Sequence, residues 1–272
     1  MSATCSHKDV ERKGVSATAH GVAYMRSLEI LFDPEERLFQ DPYAVALGGE
    51  VGRNFVEEKH GKPTKGMING ISVRTKRIDD EFESSTLKQI CVFGAGLDPR
   101  PWRLTKTVHE PVAYFEIDFP EVLAFKLSTL NEMNAVSAFD YRSVPTDLSV
   151  SDWSDKLLAS GFEPNVPTFF ILEGFVNYLT FEEVASFFTL LSTKIAAKGS
   201  RLVMTCATPI TQSSVKMHNL HKFFPEQPLE FFSQFGWTGK QELVEELAVS
   251  YNRPLDQTNN LKGYYILSLI LE

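Results

Sequence analysis

Short apolar runs, separated by longer stretches with helical spacing, dominate the middle of this chain. Four of them have strand length: QICVF (89–93), VAYFEID (112–118), TFFILEG (168–174) and SRLVMTC (200–206). The segments between them carry apolar residues at helical spacing. Such alternation predicts an α/β fold with a parallel sheet covered by helices on both faces. GYYILSLILE (263–272) predicts one further, well-buried strand.

The most clearly bounded helix follows the third apolar run. Thr180 and Glu183 have the spacing of a capping box, which predicts the first turn of a helix. Lys198 and Gly199 mark its predicted end. The apolar residues that we expect to pack into the core instead of a cofactor site are Val184, Phe187, Phe188, Leu191 and Ile195.

Glycine and proline concentrate in EEKHGKPTKGMING (57–70), which predicts a loop between a helical N-terminal region and the core. We expect a single domain of 272 residues. It divides into an N-terminal helical cap (1–85), a cofactor-binding core (86–206), and a lid with the last strands (207–272).

Candidate site residues stand where the apolar runs end, because ligands of open α/β sheets bind beyond the carboxyl ends of the strands. These residues are Gly94-Ala95-Gly96, Glu116, Asp118, Glu173 and the region of Cys206. Gly94 and Gly96 permit a sharp turn and a close approach to a ligand, because neither carries a Cβ. Asp118 lies 24 positions after Gly94, near the offset of about 20 at which an acidic residue meets a ribose. This pair predicts a cofactor that contains a nucleoside.

Two cofactor classes contain such a ribose, and the loop chemistry separates them. A dinucleotide site normally has a third glycine where this chain has Pro99, and Asp98 would repel a pyrophosphate. S-adenosylmethionine has no phosphate and carries a sulfonium and an ammonium, so Asp98 and Glu173 are compatible with it. Arg74, just ahead of the first core strand, is the candidate to bind its carboxylate as a bidentate fork. The residues therefore favour S-adenosylmethionine.

Five segments also occur in the order, and at about the spacing, of one known family. They are SVRTKRID, VFGAGLDPRPWRL, YFEIDFPEVLAFK, PTDLSVSDW and ILEGFVNYL. With RLFQDPYAVAL (37–47), the chain resembles the leucine carboxyl methyltransferase family over roughly residues 20 to 205. That family also includes uncharacterised bacterial methyltransferases and polyketide-associated O-methyltransferases. The resemblance implies a class I methyltransferase fold, Rossmann-like, with a seven-stranded sheet, an antiparallel last strand and S-adenosylmethionine as methyl donor.

The resemblance also implies cofactor-binding roles for individual residues. It matches Arg74 to the arginine that binds the methionine carboxylate, Gly94 to the motif I glycine, and Asp118 to the acid that binds the ribose hydroxyls. It places Asp147 and Leu148 around the adenine, and it matches Glu173 to the glutamate after strand four. The cofactor-binding residues that we predict are Arg74, Gly94, Ala95, Gly96, Asp98, Asp118, Asp147, Leu148 and Glu173.

Several of these residues have structural alternatives. Arg74 could be a solvated helix charge, Asp147 could cap a helix that starts near Ser149, and Glu173 could pair with a structural arginine. The nearby arginines and their expected carboxylate partners, which would brace the loop, are Arg100 and Arg103 with Asp98 or Glu116.

Aromatic residues are frequent in the segment 208–237, which predicts a lid over a partly apolar small molecule. They are Phe223, Phe224, Phe231, Phe232, Phe235 and Trp237. An equally good interpretation is that these side chains pack the segment onto the sheet.

Catalytic candidates are few. A carboxylate acceptor needs alignment and exclusion of water but no base. A hydroxyl acceptor needs one, and the candidates are Tyr178, His218 and His221. Tyr178 could instead be a packing residue. The two histidines could face a substrate, and because no third ligand accompanies them, we predict no metal site.

The charge balance and the cysteines limit the remaining classes. With 27 Lys+Arg against 35 Asp+Glu the net charge is −8, which disfavours binding to a nucleic-acid backbone. The three cysteines, Cys5, Cys91 and Cys206, show no CxxC spacing, so we expect no disulfide framework. No apolar run approaches the roughly 20 residues of a membrane span, and a cytoplasmic location is expected.

The sequence therefore predicts an S-adenosylmethionine-dependent O-methyltransferase that acts on a carboxylate or hydroxyl of a small molecule. Methylation of a protein C-terminal carboxylate is the alternative within the enzyme class, disfavoured by the short segment after residue 206. A catalytically inactive cofactor-binding partner protein is the alternative from another class.

Overall fold

The computed structural model describes residues 7–105, 111–214, 220–256, 261 and 263–272. The strands are β1 (Gln89–Phe93), β2 (Ala113–Asp118), β3 (Asp140–Pro145), β4 (Thr168–Leu172), β5 (Arg201–Ala207), β6 (Trp237–Leu243) and β7 (Tyr264–Leu271). The helices are α1 (His7–Ser27), α2 (Ala44–His60), α3 (Lys65–Ser84), α4 (Arg100–Arg103), α5 (Pro120–Glu132), α6 (Trp153–Ala159), α7 (Phe181–Leu190), α8 (Pro209–Ser214), α9 (Pro228–Ser233) and α10 (Val244–Ser250).

All seven strands form one sheet in the order β3-β2-β1-β4-β5-β7-β6. Strands β1 to β5 pair in parallel, and β7 runs antiparallel to both β5 and β6. The predicted seven-stranded sheet with an antiparallel last strand is confirmed. The strand order reverses beside β1, whose neighbours are β2 and β4, and such a switch point is where α/β sheets bind ligands.

Helices cover both faces of the sheet, because alternate residues of each strand point to opposite sides. In β1, Cys91 and Phe93 join a core cluster with Phe187 of α7. Ile90 and Val92 join a second cluster on the other face. That second cluster also contains Val73, Ile78 and Phe82 of α3 and Val244, Leu247 and Ala248 of α10.

The predicted capping box starts α7. The Glu183 N–H donates to Thr180 Oγ1 at 3.2 Å, and the Thr180 N–H donates to Glu183 Oε2 at 2.8 Å. All five apolar residues predicted as core on this helix are buried. The regular helix ends at Leu190 and continues as a π turn over Leu191–Ile195, earlier than the predicted end at Lys198 and Gly199.

The N-terminal helices pack closely over the carboxyl ends of the strands. A Cβ at Gly52 of α2 would lie 2.2 Å from the His20 carbonyl oxygen of α1, so only glycine allows this approach.

The predicted loop at 57–70 is wrong in extent: α2 continues to His60 and α3 begins at Lys65. No helix in the described ranges combines the length and the apolar character required to cross a membrane.

Candidate active site

A cavity of about 630 Å³ lies at the carboxyl ends of β1 to β4, under α1, α2 and α3. The predicted residues that line it are Arg74, Gly94, Ala95, Gly96, Asp98, Asp118, Asp147, Leu148, Glu173, Tyr178 and His221. His218 lies outside the described residues. Glu116 and Cys206 are buried elsewhere and do not line the cavity. We call the wall that follows the strands, formed by residues 94–98, 118, 147–148 and 173, the strand end.

The turn after β1 depends on its two glycines. Gly94 and Gly96 have φ of +65° and +48°, a region that residues with a Cβ rarely adopt. The Gly94 and Ala95 N–H groups donate to the Ile117 carbonyl at 2.9 and 3.2 Å, which ties the turn to β2. A Cβ at Gly94 would lie 2.9 Å from Phe175 Cδ2. A side chain at this position therefore collides with the protein before it reaches a ligand.

Asp118 ends β2 beside that turn. Its Oδ2 accepts from the Gly96 N–H at 2.6 Å and its Oδ1 from the Phe119 N–H at 2.7 Å. Burial raises the pKa of Asp118, and the two backbone donors oppose that rise. Since each carboxylate oxygen has a second acceptor site, Asp118 can still accept hydrogen bonds from a diol in the cavity.

Arg74 and Glu173 form a buried ion pair in the cavity wall. Arg74 Nε donates to Glu173 Oε1 at 2.7 Å. Within the described part of the chain, the two terminal nitrogens of Arg74 form no hydrogen bond. Glu173 therefore pairs with an arginine, which is the alternative that the sequence left open for it. Arg74 keeps its two terminal nitrogens as donors on a cavity-lining side chain. That is the geometry required to bind a carboxylate.

The buried side chain of Arg100 connects three carboxylates near this ion pair. Its Nε donates to Asp79, and its Nη1 donates to both Asp98 and Glu173, at distances of 2.6 to 2.7 Å. Burial disfavours the charge of Glu173, but Arg100 and Arg74 lower the pKa of this carboxyl to about 2. Arg100 likewise lowers the pKa of Asp98 against the effect of burial. The repulsion of a pyrophosphate expected from Asp98 is weaker than predicted, because the charge of Asp98 is paired.

Glu116 and Asp147 have other hydrogen-bond roles in the structure than the sequence predicted. Glu116, a predicted brace for the loop arginines, pairs instead with Lys126 Nζ at 2.5 Å and accepts from the Tyr141 hydroxyl at 2.6 Å. Asp147 Oδ1 accepts from the Ser149 N–H at 2.9 Å, but this forms a turn. The predicted helix start near Ser149 is wrong, since α6 begins at Trp153.

Comparison with known proteins identifies the family of the chain. The leucine carboxyl methyltransferase family model matches residues 19–192. A relative from Frankia alni, provisionally named an S-adenosyl-L-methionine-dependent methyltransferase, is 32% identical over 266 residues, 90% of each chain. One from Mycobacteroides abscessus with the same provisional name is 32% identical over 91% of this chain and 90% of its own. The chain belongs to the leucine carboxyl methyltransferase family.

Solved structures agree with this fold. A provisionally named methyltransferase from Thermobifida fusca superimposes with a TM-score of 0.56 at 15% identity, over 85% of this chain and 93% of that one. The methyltransferase domain of bacterial CtHen1 superimposes with a TM-score of 0.52 at 10% identity, over 73% and 96%. The predicted family, the class I fold and the enzyme class, a methyltransferase that uses S-adenosylmethionine, are confirmed.

In this methyltransferase, Tyr178 and His221 meet at the cavity beside Arg74. Their rings pack edge to face with centroids 4.8 Å apart, and the Tyr178 hydroxyl donates to Thr18 Oγ1 at 3.1 Å. Burial lowers the pKa of His221 to about 4 and raises that of Tyr178. Near neutral pH the imidazole is therefore uncharged, and the phenol is a hydrogen-bond donor.

Sequence reasoning missed two residues that shape the site. Arg26 of α1 lines the cavity, and its Nη2 donates to the Leu97 carbonyl at 2.6 Å while its Nε pairs with Asp41 at 2.9 Å. Asn177 is buried; its backbone carbonyl accepts from the Lys222 N–H at 2.7 Å, and its side-chain amide donates to the Phe223 carbonyl at 2.8 Å. These bonds hold His221 near Tyr178. Asn177 and Asp41, the partner of Arg26, stand within segments that carry the family resemblance, and that was the available signal. Arg26 itself lies outside those segments.

In the described part of the segment 208–237, the aromatic side chains pack onto the sheet, which is the second of the two interpretations given for them. Phe223, Phe232 and Trp237 are fully buried in the core. Among the described residues of 208–237, those that line the cavity are Thr211, His221 and Lys222. The lid itself stays a prediction. No group of three His, Cys, Asp or Glu side chains suited to a metal ion occurs among the described residues.

Proposed function

We propose that this methyltransferase transfers a methyl group to an oxygen of a small molecule, a carboxylate or a hydroxyl, and that a carboxylate is the acceptor it favours. One observation carries the proposal. The cavity unites the glycine turn and the acid after β2 at the strand end with the Arg74 fork of α3, Tyr178 and His221.

The strand end fits S-adenosylmethionine. The order of the strands sets out the contacts along one edge, with Asp147 after β3, Asp118 after β2 and Gly94 after β1. Asp118 can accept from the ribose hydroxyls, and the two terminal nitrogens of Arg74 can donate to the methionine carboxylate. When bound there, the cofactor would supply an electrophilic methyl group on its sulfonium, and transfer of that methyl to the acceptor oxygen would leave S-adenosylhomocysteine.

The surroundings of His221 favour a carboxylate acceptor. A general base works best when its pKa lies near the operating pH, whereas burial lowers the pKa of His221 to about 4. Such an imidazole takes a proton from a hydroxyl only weakly. A carboxylate is already ionised near pH 7, so it needs alignment and desolvation but no base.

Base lability of the product tests this proposal. We expect the protein, incubated with methyl-labelled S-adenosylmethionine and a metabolite extract, to form a product that mild alkali hydrolyses with release of labelled methanol. Its rate should stay flat from about pH 6 upward, because a carboxylate with a pKa near 4 is already ionised there. A base-stable label, with a rate that rises with pH and is lost in His221→Ala, would establish a hydroxyl acceptor instead.

A further inference from the structure

The cavity extends away from the strand end along one face of α3. Met67, Ile71 and Arg74 are spaced i, i+4 and i+7, so they share a helix face, and all three line the cavity. Seven residues at 1.5 Å each place Met67 about 10 Å along the axis from Arg74. The apolar part of this face therefore begins next to the predicted carboxylate fork and leads outward.

The opposing walls come from α1 and α2. Val22 and Met25 of α1, and Phe55 and Val56 of α2, line the same part of the cavity. Phe55 packs over Gly21, where a Cβ would lie 2.8 Å from its ring. We call this region the helical end, formed by Val22, Met25, Phe55, Val56, Met67 and Ile71.

Polar partners are sparse at the helical end. Among the described cavity-lining residues of the three helices, the ionisable side chains are Arg26, His60 and Arg74, and the hydroxyl side chains are Ser16 and Thr18 at the other end of α1's lining stretch from Met25. Arg26 is held by Asp41 and the Leu97 carbonyl at the glycine turn, and His60 is the exposed last residue of α2. A polar ligand group would lose its hydrogen bonds to water between these points, whereas an apolar group gains by leaving water.

We infer that the helical end binds an elongated apolar tail of the methyl acceptor, so that the substrate is an amphipathic carboxylic acid. This inference rests on the proposed function. The ribose and the methionine carboxylate of the cofactor have matched partners at the strand end, which leaves the helical end to the second substrate. The acceptor's carboxylate then lies beside Tyr178, and its tail runs between α1, α2 and α3 past Ile71 to Met67.

Chain-length dependence tests the inference. The protein, saturated with S-adenosylhomocysteine, is titrated calorimetrically with butanoate, hexanoate, octanoate, decanoate and dodecanoate. We expect Kd to fall about fourfold for each methylene group that is buried, and to level off once the tail exceeds the helical end. Val22→Phe should shorten the acid at which this plateau begins, because the larger ring fills part of the cavity.

Matched variants localise the tail. Met67→Gln should weaken decanoate binding about tenfold and leave butanoate and S-adenosylhomocysteine binding unchanged. Met133→Gln is the control, since Met133 is 40% exposed at the end of α5 and lies away from the cavity. Thermal melting of each variant confirms that it is folded, and Val22→Phe gives an independent result if Met67→Gln is not.

Two outcomes separate this inference from the proposed function. If S-adenosylhomocysteine binds but affinity is independent of chain length, or if Met67→Gln and Met133→Gln behave alike, the helical end is not the tail site and only this inference fails. If the wild-type protein does not bind S-adenosylhomocysteine, the proposed function fails and the inference fails with it.

Discussion

The two ends of the cavity are built from different interactions. Around the strand end, three arginines and three carboxylates form a buried network of ion pairs, namely Arg74, Arg100 and Arg103 with Asp79, Asp98 and Glu173. A separate buried pair, Arg26 with Asp41, lies beside it. At the helical end, Met25 and Val56 pack with Phe55, Met67 and Ile71 through apolar contacts. Directional bonds fix positions, whereas apolar contacts fix little more than volume.

This difference indicates which end tolerates change. Breaking one partner of a buried charge network leaves other charges unpaired, while apolar swaps that conserve volume usually cost under about 1.5 kcal/mol. We therefore expect the strand end to lose function or stability on single substitutions. The helical end should instead change its choice of acceptor.

Arg100→Met should have the largest effect. It removes the cation shared by Asp79, Asp98 and Glu173, and loss of one partner from such a buried group costs about 3–5 kcal/mol of the free energy of unfolding. Urea denaturation measures this. Arg53→Met is the control, because Arg53 is half exposed and its pair with Glu50 is 3.5 Å long, worth less than about 1 kcal/mol. Equal losses in both variants would contradict a buried network.

Arg74→Ala should come next. It removes charge-assisted hydrogen bonds to the cofactor's carboxylate, at a cost of about 2 kcal/mol of binding free energy, with partial recovery in Arg74→Lys. Calorimetric titration measures the change. Decarboxylated S-adenosylmethionine should bind equally to wild type and variant.

The control for Arg74 lies on the same helix. Arg77 pairs with Glu81 and Glu242 and does not line the cavity, so Arg77→Lys should leave cofactor binding unchanged. If Arg74→Ala weakens the decarboxylated ligand as much as the intact one, Arg74 is a folding residue and the carboxylate binds elsewhere.

Asp118 should show a smaller, ligand-specific effect. Removal of the 2′-hydroxyl from S-adenosylhomocysteine should cost the wild-type protein about 1.5 kcal/mol, roughly tenfold in Kd. In Asp118→Asn, which keeps an oxygen for the Gly96 N–H, the same removal should matter much less. The double-mutant cycle isolates this coupling. A full 2′-hydroxyl effect in the variant would place the ribose away from Asp118.

The smallest effect at neutral pH concerns His221. Burial lowers its pKa in the folded state to about 4, against about 6.5 when unfolded. The unfolded chain therefore binds the proton first, so stability from this group is complete above about pH 6.5 and is lost as the pH falls towards 4. Urea denaturation at several pH values should show a weaker loss in His221→Phe than in wild type. Parallel pH profiles would contradict the burial of an uncharged imidazole.

The buried strands could be predicted from sequence because burial on both faces produces an uninterrupted apolar run. β1 begins and ends where predicted, and the β2, β4, β5 and β7 boundaries differ by no more than two residues. β3 and β6 produced no such signal, since they lie at the two edges of the sheet and are largely exposed or half-buried. Edge strands lack the pattern on which the prediction depends.

The candidate site divides in the same way. Gly94 and Asp118 could be predicted as site residues, because each follows a strand and the topology of an α/β sheet places strand ends at the ligand site. The pairing of Arg74 with Glu173 spans 99 positions, and no local pattern indicates it. Met67 was assigned to the predicted loop at 57–70, although it lies on α3. The face of this helix that meets the cavity depends on how α3 packs against α1 and α2.

A crystal structure with S-adenosylhomocysteine and decanoate tests the two-ended cavity most directly. We predict the ribose hydroxyls within hydrogen-bonding distance of Asp118 and the methionine carboxylate on the terminal nitrogens of Arg74. The alkyl chain should lie against Ile71 and Met67. Adenosine bound between α1, α2 and α3, or a decanoate tail outside them, would contradict the assignment of the strand end to the cofactor and the helical end to the acceptor.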